Sequence, residues 1–114
     1  MRWLAAVSLL ALLTAACGAI SPRATPTPTT LPGAEEVVKA ALRDLADRIK
    51  IASADIRVKD VQAVEWPSTA LGCPQPGMMY AQVITPGYKI ILTASGKDYA
   101  YHSDKSRVVY CPGQ

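Results

Sequence analysis

The stretch YKIILTASGKDYAYH, residues 88–102, has the clearest two-residue period in the chain. Apolar and polar side chains alternate at its start, which is typical of a strand with one buried face. Residues 95–97 (SGK) predict a turn, because glycine and small polar residues favour tight reversals. In the first strand, Tyr88, Ile90 and Leu92 are predicted to share one face. In the second strand, Tyr99 and Tyr101 are predicted to share one face. This stretch therefore predicts two antiparallel strands.

Further strand signals flank the hairpin on both sides. Residues 56–66 alternate with a phase slip at Lys59 and Asp60, which predicts a strand with a bulge. Residues 78–85 are β-prone, and residues 85–88 (TPGY) have the Pro-Gly centre of a type II turn. Residues 107–111 predict the last strand. The second half of the chain is therefore expected to form a sheet.

A helix is predicted before the sheet, over residues 34–51. Its apolar stripe at helical spacing consists of Val38, Leu42, Leu45 and Ile49. We therefore expect an α+β fold, with one N-terminal amphipathic helix packed on a small antiparallel sheet of about four strands. This architecture is similar to that of small helix-on-sheet domains of the cystatin or PepSY kind, and an architecture alone implies no function.

The first sixteen residues have the features of a secretory signal. Arg2 precedes a run of apolar residues that is too short to cross a bilayer, and small residues follow at a processing site. Residues 13–18 (LTAACG) resemble the bacterial lipobox, although Thr14 stands where that pattern usually has Leu. The resemblance implies cleavage after residue 16 and lipidation of Cys17. The alternative is an ordinary signal peptide with an incidental cysteine.

The mature chain divides into a spacer and one domain. Residues 17–33 begin with the lipidated cysteine and are rich in Pro and Thr, which predicts a flexible, extended linker. Residues 34–114 form the small α+β domain. Loss of Arg2 leaves eleven Lys and Arg (12 − 1) against nine Asp and Glu, a formal charge of +2. This balance is too mild to favour nucleic acid as a partner.

The remaining two cysteines form an even pair. If Cys17 is lipidated in an extracytoplasmic compartment, Cys73 and Cys111 are expected to form a disulfide. The bond would close a loop of 38 residues (111 − 73). The chain-entropy relation gives such a loop roughly 4 kcal/mol of stabilisation, a useful contribution in a domain this small.

Catalytic and metal-binding interpretations have little support in the sequence. Cys73, His102 and Asp104 can be drawn as a thiol triad, but an oxidising compartment favours a bridged Cys73. A single histidine and two distant cysteines lack the spacing of a zinc site. We therefore expect a protein that is not an enzyme and binds no cofactor or metal.

Binding remains as the favoured class of function. The candidate binding surface consists of Trp66, Met78, Met79, Tyr80, Tyr99 and Tyr101, although a thin core uses the same residue types. A second candidate is a proteinase inhibitor that uses the loop around residues 73–79, because a disulfide and prolines preorganise such a loop.

The order of several motifs adds a resemblance. Residues 66–74 (WPSTALGCP), 86–88 (PGY) and 99–102 (YAYH) resemble a pattern in small, uncharacterised secreted or lipid-anchored bacterial proteins. The resemblance implies no catalytic residue. The sequence therefore predicts a cell-envelope lipoprotein, anchored through Cys17 on the extracytoplasmic face of the cell membrane or outer membrane. Its domain would bind an envelope protein or peptide, or support an envelope assembly.

Overall fold

The computed structural model describes Gly18 and residues 31–113. The predicted signal peptide, Cys17 and most of the predicted spacer lie outside the described residues. The elements in chain order are helix α1 (Glu35–Ile49), a 3-10 turn (Ser53–Asp55), and strands β1 (Arg57–Trp66), β2 (Thr85–Ala94), β3 (Lys97–Ser103) and β4 (Val108–Tyr110). Within the part of the chain that the structure describes, no helix is long and apolar enough to span a bilayer.

Helix α1 forms where the apolar stripe predicts it. Glu35 and Glu36 lie in the first turn, and Arg48 lies in the last turn, as the helix dipole favours. The helix ends at Lys50, which has φ 58° and donates its backbone N–H to the carbonyl of Ala46. The buried residues of the helix are Val37, Val38, Ala41 and Leu45. One face of the helix therefore packs on the sheet.

The four strands form one open antiparallel sheet in the order β1-β2-β3-β4. Helix α1 packs on one face, so the predicted α+β architecture is confirmed. The β2–β3 connection consists of Ser95 at φ 50° and Gly96 at φ 74°. Two left-handed residues suit a two-residue hairpin, because their twist matches that of the strands. The register shift in β1 between Val58 and Asp60 confirms the predicted bulge.

Two sequence predictions between β1 and β2 are wrong. Residues 85–88 form the start of β2, where Pro86 pairs with Glu65 of β1. Pro86 is tolerated because β2 gains its second neighbour only from Tyr88 onward. Gly87 approaches β3 so closely that a Cβ would overlap the carbonyl oxygen of Ser103. Pro86 and Gly87 therefore belong to strand β2, where Gly87 allows the close approach of β3, and they form no turn.

The second wrong prediction is a strand beginning at residue 78. Residues 67–84 connect β1 to β2 without a strand, and we call this segment the crossing loop. Within it, the backbone N–H of Met78 donates to the carbonyl of Gln75 at 3.2 Å, and Gly77 has φ 77°. This turn ends where the predicted strand would begin, and Ala81 then pairs with Thr69 of the same loop, so residues 78–84 join no strand of the sheet.

The two faces of the sheet are buried by different partners. The face that α1 covers contains the main apolar core, with Ile90, Leu92 and Tyr101 fully buried beneath Leu45. The crossing loop covers the part of the opposite face around Trp66 and His102, and Ile91 on the same face is half-buried. The residues buried on or against that second face include Trp66, Ala70, Leu71, Ala100 and His102. The domain therefore has three layers: helix, sheet and loop.

Candidate functional site: the crossing loop and its cleft

The first part of the crossing loop is fixed by a stack of two rings. Trp66 and His102 lie on neighbouring positions of the face opposite α1, with ring centroids 4.4 Å apart and an interplanar angle of 24°. The indole Nε1–H of Trp66 donates to the carbonyl of Ser103 at 2.9 Å. The loop backbone passes directly over this stack, so the two rings form its platform.

Leu71 and Gly72 bring the loop backbone into contact with the platform. Leu71 is fully buried at φ 58°, and the Nδ1 of His102 lies 2.6 Å from its carbonyl oxygen. Gly72 has φ 67°, and a Cβ there would lie 2.7 Å from a ring carbon of Trp66. A larger residue at position 72 would therefore push the loop away from the indole ring.

His102 is a structural residue in this arrangement. A carbonyl only accepts hydrogen bonds, so Nδ1 carries the hydrogen and donates to Leu71. Burial of the ring lowers the pKa of His102, and the positive charge of Lys89 acts in the same direction. Nε2 is buried and has no hydrogen-bond partner among the described residues. The neutral imidazole therefore holds the loop on the sheet.

The Cys73–Cys111 disulfide joins the loop to the end of β4, with 5.9 Å between the two Cα atoms. The predicted pairing is thus present in the structure. Cys111 itself is held to β3, because its N–H donates to the carbonyl of Ala100 at 2.9 Å. Within the described residues, no group of three or more His, Cys, Asp or Glu side chains is placed to hold a metal ion.

The second part of the loop is held by hydrogen bonds at both ends. The N–H of Gln75 donates to the hydroxyl of Tyr80 at 2.9 Å. Thr69 and Ala81 exchange two bonds, one from the Thr69 N–H to the Ala81 carbonyl and one from the Ala81 N–H to the Thr69 hydroxyl. These contacts fix the loop on both sides of Met79.

The loop contains two adjacent pairs of exposed apolar residues, which we together call the apolar tip. It consists of Met78, Met79, Val83 and Ile84, with exposed fractions of 62%, 96%, 56% and 70%. These are the large apolar residues that stand out as exposed in the described part of the chain. Sequence reasoning found the two methionines but assigned Val83 and Ile84 to a strand. The structure has a bend at Val83, and strand β2 begins only at Thr85.

The other candidate binding residues have different positions. Trp66 and Tyr101 are buried, so neither contributes to a surface, and their inclusion in the predicted binding set is wrong. Tyr101 packs beneath α1, on the face opposite to the one that a free platform would need. Tyr99 and Tyr80 are half-buried. Tyr99 packs against the main core, and Tyr80 supports the loop through its hydroxyl group.

A cleft of about 500 Å³ lies beside the loop, at the outer edge of β4. It is lined by Asp44, Arg48, Gln75, Val108, Val109, Tyr110 and Pro112. Asp44 pairs with Arg48 and accepts a hydrogen bond from the hydroxyl of Tyr101 at 2.7 Å. The Arg48 guanidinium lies 4.8 Å from the ring centroid of Tyr110.

The polar wall of this cleft was missed by sequence reasoning. Asp44 and Arg48 are spaced as an ordinary solvated pair on a helix, and only the tertiary structure places them against Tyr101 and Tyr110. Burial raises the pKa of Tyr101, and the hydrogen bond to Asp44 acts in the same direction. The hydroxyl group therefore remains protonated and donates to the carboxylate.

The fold and the loop define a class of protein: a small disulfide-linked α+β domain with a helix on one sheet face and a fixed, partly apolar loop on the other. A family model described as a domain of unknown function, DUF8738, matches residues 38–111. The match runs from α1 to the second cysteine of the disulfide and covers more than half of the chain, which therefore belongs to this family. Neither the curated proteins nor the solved structures gave a match to the chain.

Proposed function

We propose that this protein is a non-catalytic, lipid-anchored binding domain of the bacterial cell envelope that presents the crossing loop to a protein partner. The observation that carries the proposal is the apolar tip. Four large apolar side chains are exposed within one loop, whereas the other large apolar residues in the described part of the chain are buried or half-buried. Exposed large apolar side chains that are grouped in one segment mark sites of interaction more often than single ones do.

The way the loop is held also supports binding. The disulfide, the Trp66–His102 platform and the Thr69–Ala81 hydrogen bonds restrict the loop before a partner arrives. A preorganised loop loses less conformational entropy on association than a free one. Methionine side chains add adaptable contact surface, which suits a peptide or protein partner.

A non-catalytic role agrees with the bonding of Cys73 and His102, the two residues on which a thiol mechanism would depend. Cys73 is bonded to Cys111, and a disulfide sulfur is no nucleophile of the thiolate kind. His102 is buried against Trp66, and its Nδ1 hydrogen is committed to Leu71. Mass spectrometry without a reductant should find no free thiol on Cys73. A free Cys73 thiol in the mature protein would revive the enzyme hypothesis.

The proposed location rests on the N-terminal sequence, which lies outside the described residues. Lipidation of Cys17 would attach the protein to the extracytoplasmic face of the cell membrane or outer membrane. Metabolic labelling with palmitate should mark the wild-type protein and be lost in Cys17→Ser. A Cys73→Ser variant should keep the label. Label that persists in Cys17→Ser would rule out this anchor.

The binding role is tested by photo-crosslinking in intact cells. A photo-reactive amino acid at position 79 should give one discrete adduct, whereas the same amino acid at position 36, an exposed site on α1, should not. Met78→Ser should reduce the adduct, because it removes exposed apolar contact area at the residue next to the probe. Equal adducts from positions 79 and 36, or none from position 79, would contradict the proposal.

A second candidate function, proteinase inhibition, is favoured by one specific observation. Met79 is 96% exposed within a loop that is fixed on both sides, as a substrate-like inhibitor loop requires. The purified protein should then inhibit at least one protease of a standard panel. Met79→Lys should shift the inhibition toward proteases that cleave after Lys. Absence of inhibition across the panel would eliminate this candidate.

A further inference from the structure

Strand β4 is an outer edge of the sheet, and its hydrogen bonds show which backbone groups are used. The N–H of Cys111 donates to Ala100, and the N–H of Asp104 donates to the carbonyl of Arg107. Hydrogen-bonded and non-bonded pairs alternate along an antiparallel ladder. Between these two bonds, Val109 lies opposite His102 in the bonded position.

The neighbouring residues of β4 must then direct their backbone groups away from the sheet. Val108 and Tyr110 occupy the non-bonded positions, so their N–H groups and carbonyls point outward. The sulfur of Cys73 lies 3.7 Å from the carbonyl oxygen of Tyr110. The two N–H groups and the carbonyl of Val108 have no partner among the described residues. Along this edge, two N–H donors and one carbonyl acceptor therefore remain unpaired within the described part of the chain.

The cleft of about 500 Å³ opens along the same edge. Asp44 and Arg48 of α1 line one side of it, and Gln75 of the crossing loop lines the other. The charges of Asp44 and Arg48 neutralise each other within a direct ion pair. The cleft therefore favours neutral amide groups over a strongly charged ligand.

A single turn of the crossing loop links the cleft to the apolar tip. Gln75 lines the cleft, and its carbonyl accepts the N–H of Met78, the first residue of the tip, at 3.2 Å. A chain lying along β4 would therefore meet free backbone groups first and exposed apolar side chains beyond the rim. Extended peptides bind sheet edges by this combination of main-chain pairing and side-chain contact.

The opposite edge of the sheet has features that discourage such pairing. Strand β1 is bulged between Val58 and Asp60, and exposed charged residues lie along it. Lys59, at the bulge, forms an ion pair with Asp98. Bulges and charges on an edge strand oppose the addition of another strand. The two edges therefore differ in their ability to accept a partner.

We propose that β4 binds an extended peptide segment of the partner protein as a fifth, three-residue strand, with an apolar side chain of that segment against Met78 and Met79. This inference deepens the proposed function and rests on it, because it names the conformation and chemistry of what the loop domain binds. Pairing through two N–H groups and one carbonyl selects an extended backbone, and the apolar tip adds selectivity for the side chain.

The test uses the purified full chain and a display library of random linear twelve-residue peptides. The most enriched peptide is synthesised, and its affinity is measured for the wild type and for three variants. Val108→Pro removes an outward N–H that the β3–β4 ladder does not use, so the fold is expected to persist. Val108→Thr keeps this N–H and is the matched control. Met78→Ser combined with Met79→Ser tests the apolar tip.

We expect Val108→Pro to weaken binding roughly five- to tenfold, as the loss of one intermolecular hydrogen bond predicts. Val108→Thr should bind within about twofold of the wild type. Amide hydrogen exchange followed by NMR should slow at Val108 and Tyr110 when the peptide is bound. Thermal unfolding of each variant, compared with the wild type, shows whether Val108→Pro has kept the fold. Should it unfold, the exchange protection at Val108 and Tyr110 in the wild type decides alone.

The outcomes separate this inference from the proposed function. A peptide that protects the crossing loop but leaves Val108 and Tyr110 unprotected would overturn strand pairing and keep the binding role. A peptide bound equally by the wild type and by both the Val108→Pro and the double methionine variants would overturn both. Failure to enrich any peptide would overturn strand pairing, and crosslinking at position 79 would then decide the binding role.

Discussion

The two faces of the sheet are buried in different ways. On the face covered by α1, apolar side chains from the helix and strands interlock, and burial of area is the main source of stability. On the opposite face, the crossing loop is held by a ring stack, a buried histidine, two left-handed residues and a disulfide. The helix face tolerates exchanges that preserve volume, whereas the loop face depends on individual atoms.

Of the changes on either face, removal of the disulfide is expected to have the largest effect on the free energy of unfolding. Cys73→Ala combined with Cys111→Ala should lower the free energy of unfolding by roughly 4 kcal/mol, because the unfolded chain loses a cross-link over 38 residues. Urea denaturation measures the change. In the native state, amide exchange should increase first within residues 67–84. An earlier increase in α1 would mean that the disulfide stabilises the helix face more than the loop face.

Truncation of Leu45 tests the helix face. Leu45 is fully buried on α1, and Leu45→Ala should lower the free energy of unfolding by about 3 kcal/mol through lost burial and an added cavity. Leu42→Ala, at a half-buried position on the same helix, is the control and should cost less. Thermal unfolding compares the two variants. Equal losses would mean that the stripe of α1 is not packed as the structure places it.

Gly72 tests the close contact on the loop face. Gly72→Ala adds a Cβ 2.7 Å from Trp66 and also strains a residue with φ 67°, so a loss of roughly 2 kcal/mol is expected. Gly77→Ala is the matched control, because Gly77 has φ 77° but no atom within 4 Å of the added Cβ. The control should cost about 1 kcal/mol from backbone strain alone. The fluorescence of Trp66 should change in the first variant only.

These contrasts explain why the sequence predicts the helix face well. The stripe from Val38 to Ile49 and the alternation from Tyr88 to Leu92 are periodic, and a period is visible in one dimension. The loop face has no period. Its contacts to the sheet join residues more than 30 positions apart, such as Leu71 with His102, 31 positions, and Trp66 with Ser103, 37 positions. The disulfide could be predicted from the sequence, because an even pair of cysteines in an oxidising compartment favours a bond whatever the fold.

The errors have the same physical origin. The Pro-Gly pair at residues 86–87 has the local signature of a turn, but a glycine also permits close packing of strands, and only the neighbour β3 decides between the two. Tyr101 and Trp66 have the composition of a binding surface, and burial by α1 and the crossing loop assigns them to the interior. The cleft at β4 depends on tertiary contacts of Asp44 and Arg48 that helix spacing cannot reveal.

A change of pH should act on the loop face more than on the helix face. Burial lowers the pKa of His102 below its ordinary value of 6.5, so the folded state favours the neutral ring. As the pH falls below about 6.5, the unfolded chain takes up a proton before the folded one does, and the free energy of unfolding should decrease. The decrease ends once the pH passes the lowered pKa of the folded state.

His102→Phe removes this titration and is the variant to compare. Denaturation at several pH values between 5 and 7 should show a smaller slope for the variant than for the wild type. The hydrogen bond from Lys59 lowers the pKa of Asp98 below 3.8. Burial of Asp104 is outweighed by hydrogen bonds from Ser106 and Arg107, which lower its pKa below 3.8, so both carboxyl groups titrate below this window. An identical slope in both proteins would mean that His102 is not the group that responds.

Substitution at the apolar tip should have the smallest effect on stability. Met79 is 96% exposed, so Met79→Ser should change the free energy of unfolding by less than about 0.5 kcal/mol. The same change should reduce binding of the selected peptide, because it removes apolar contact without altering the contacts that hold the loop. Leu71→Ser, at a buried position of the same loop, should instead destabilise the fold. A large loss of stability in Met79→Ser would place this side chain in a packing role, and the loop would then stabilise the sheet rather than contact a partner.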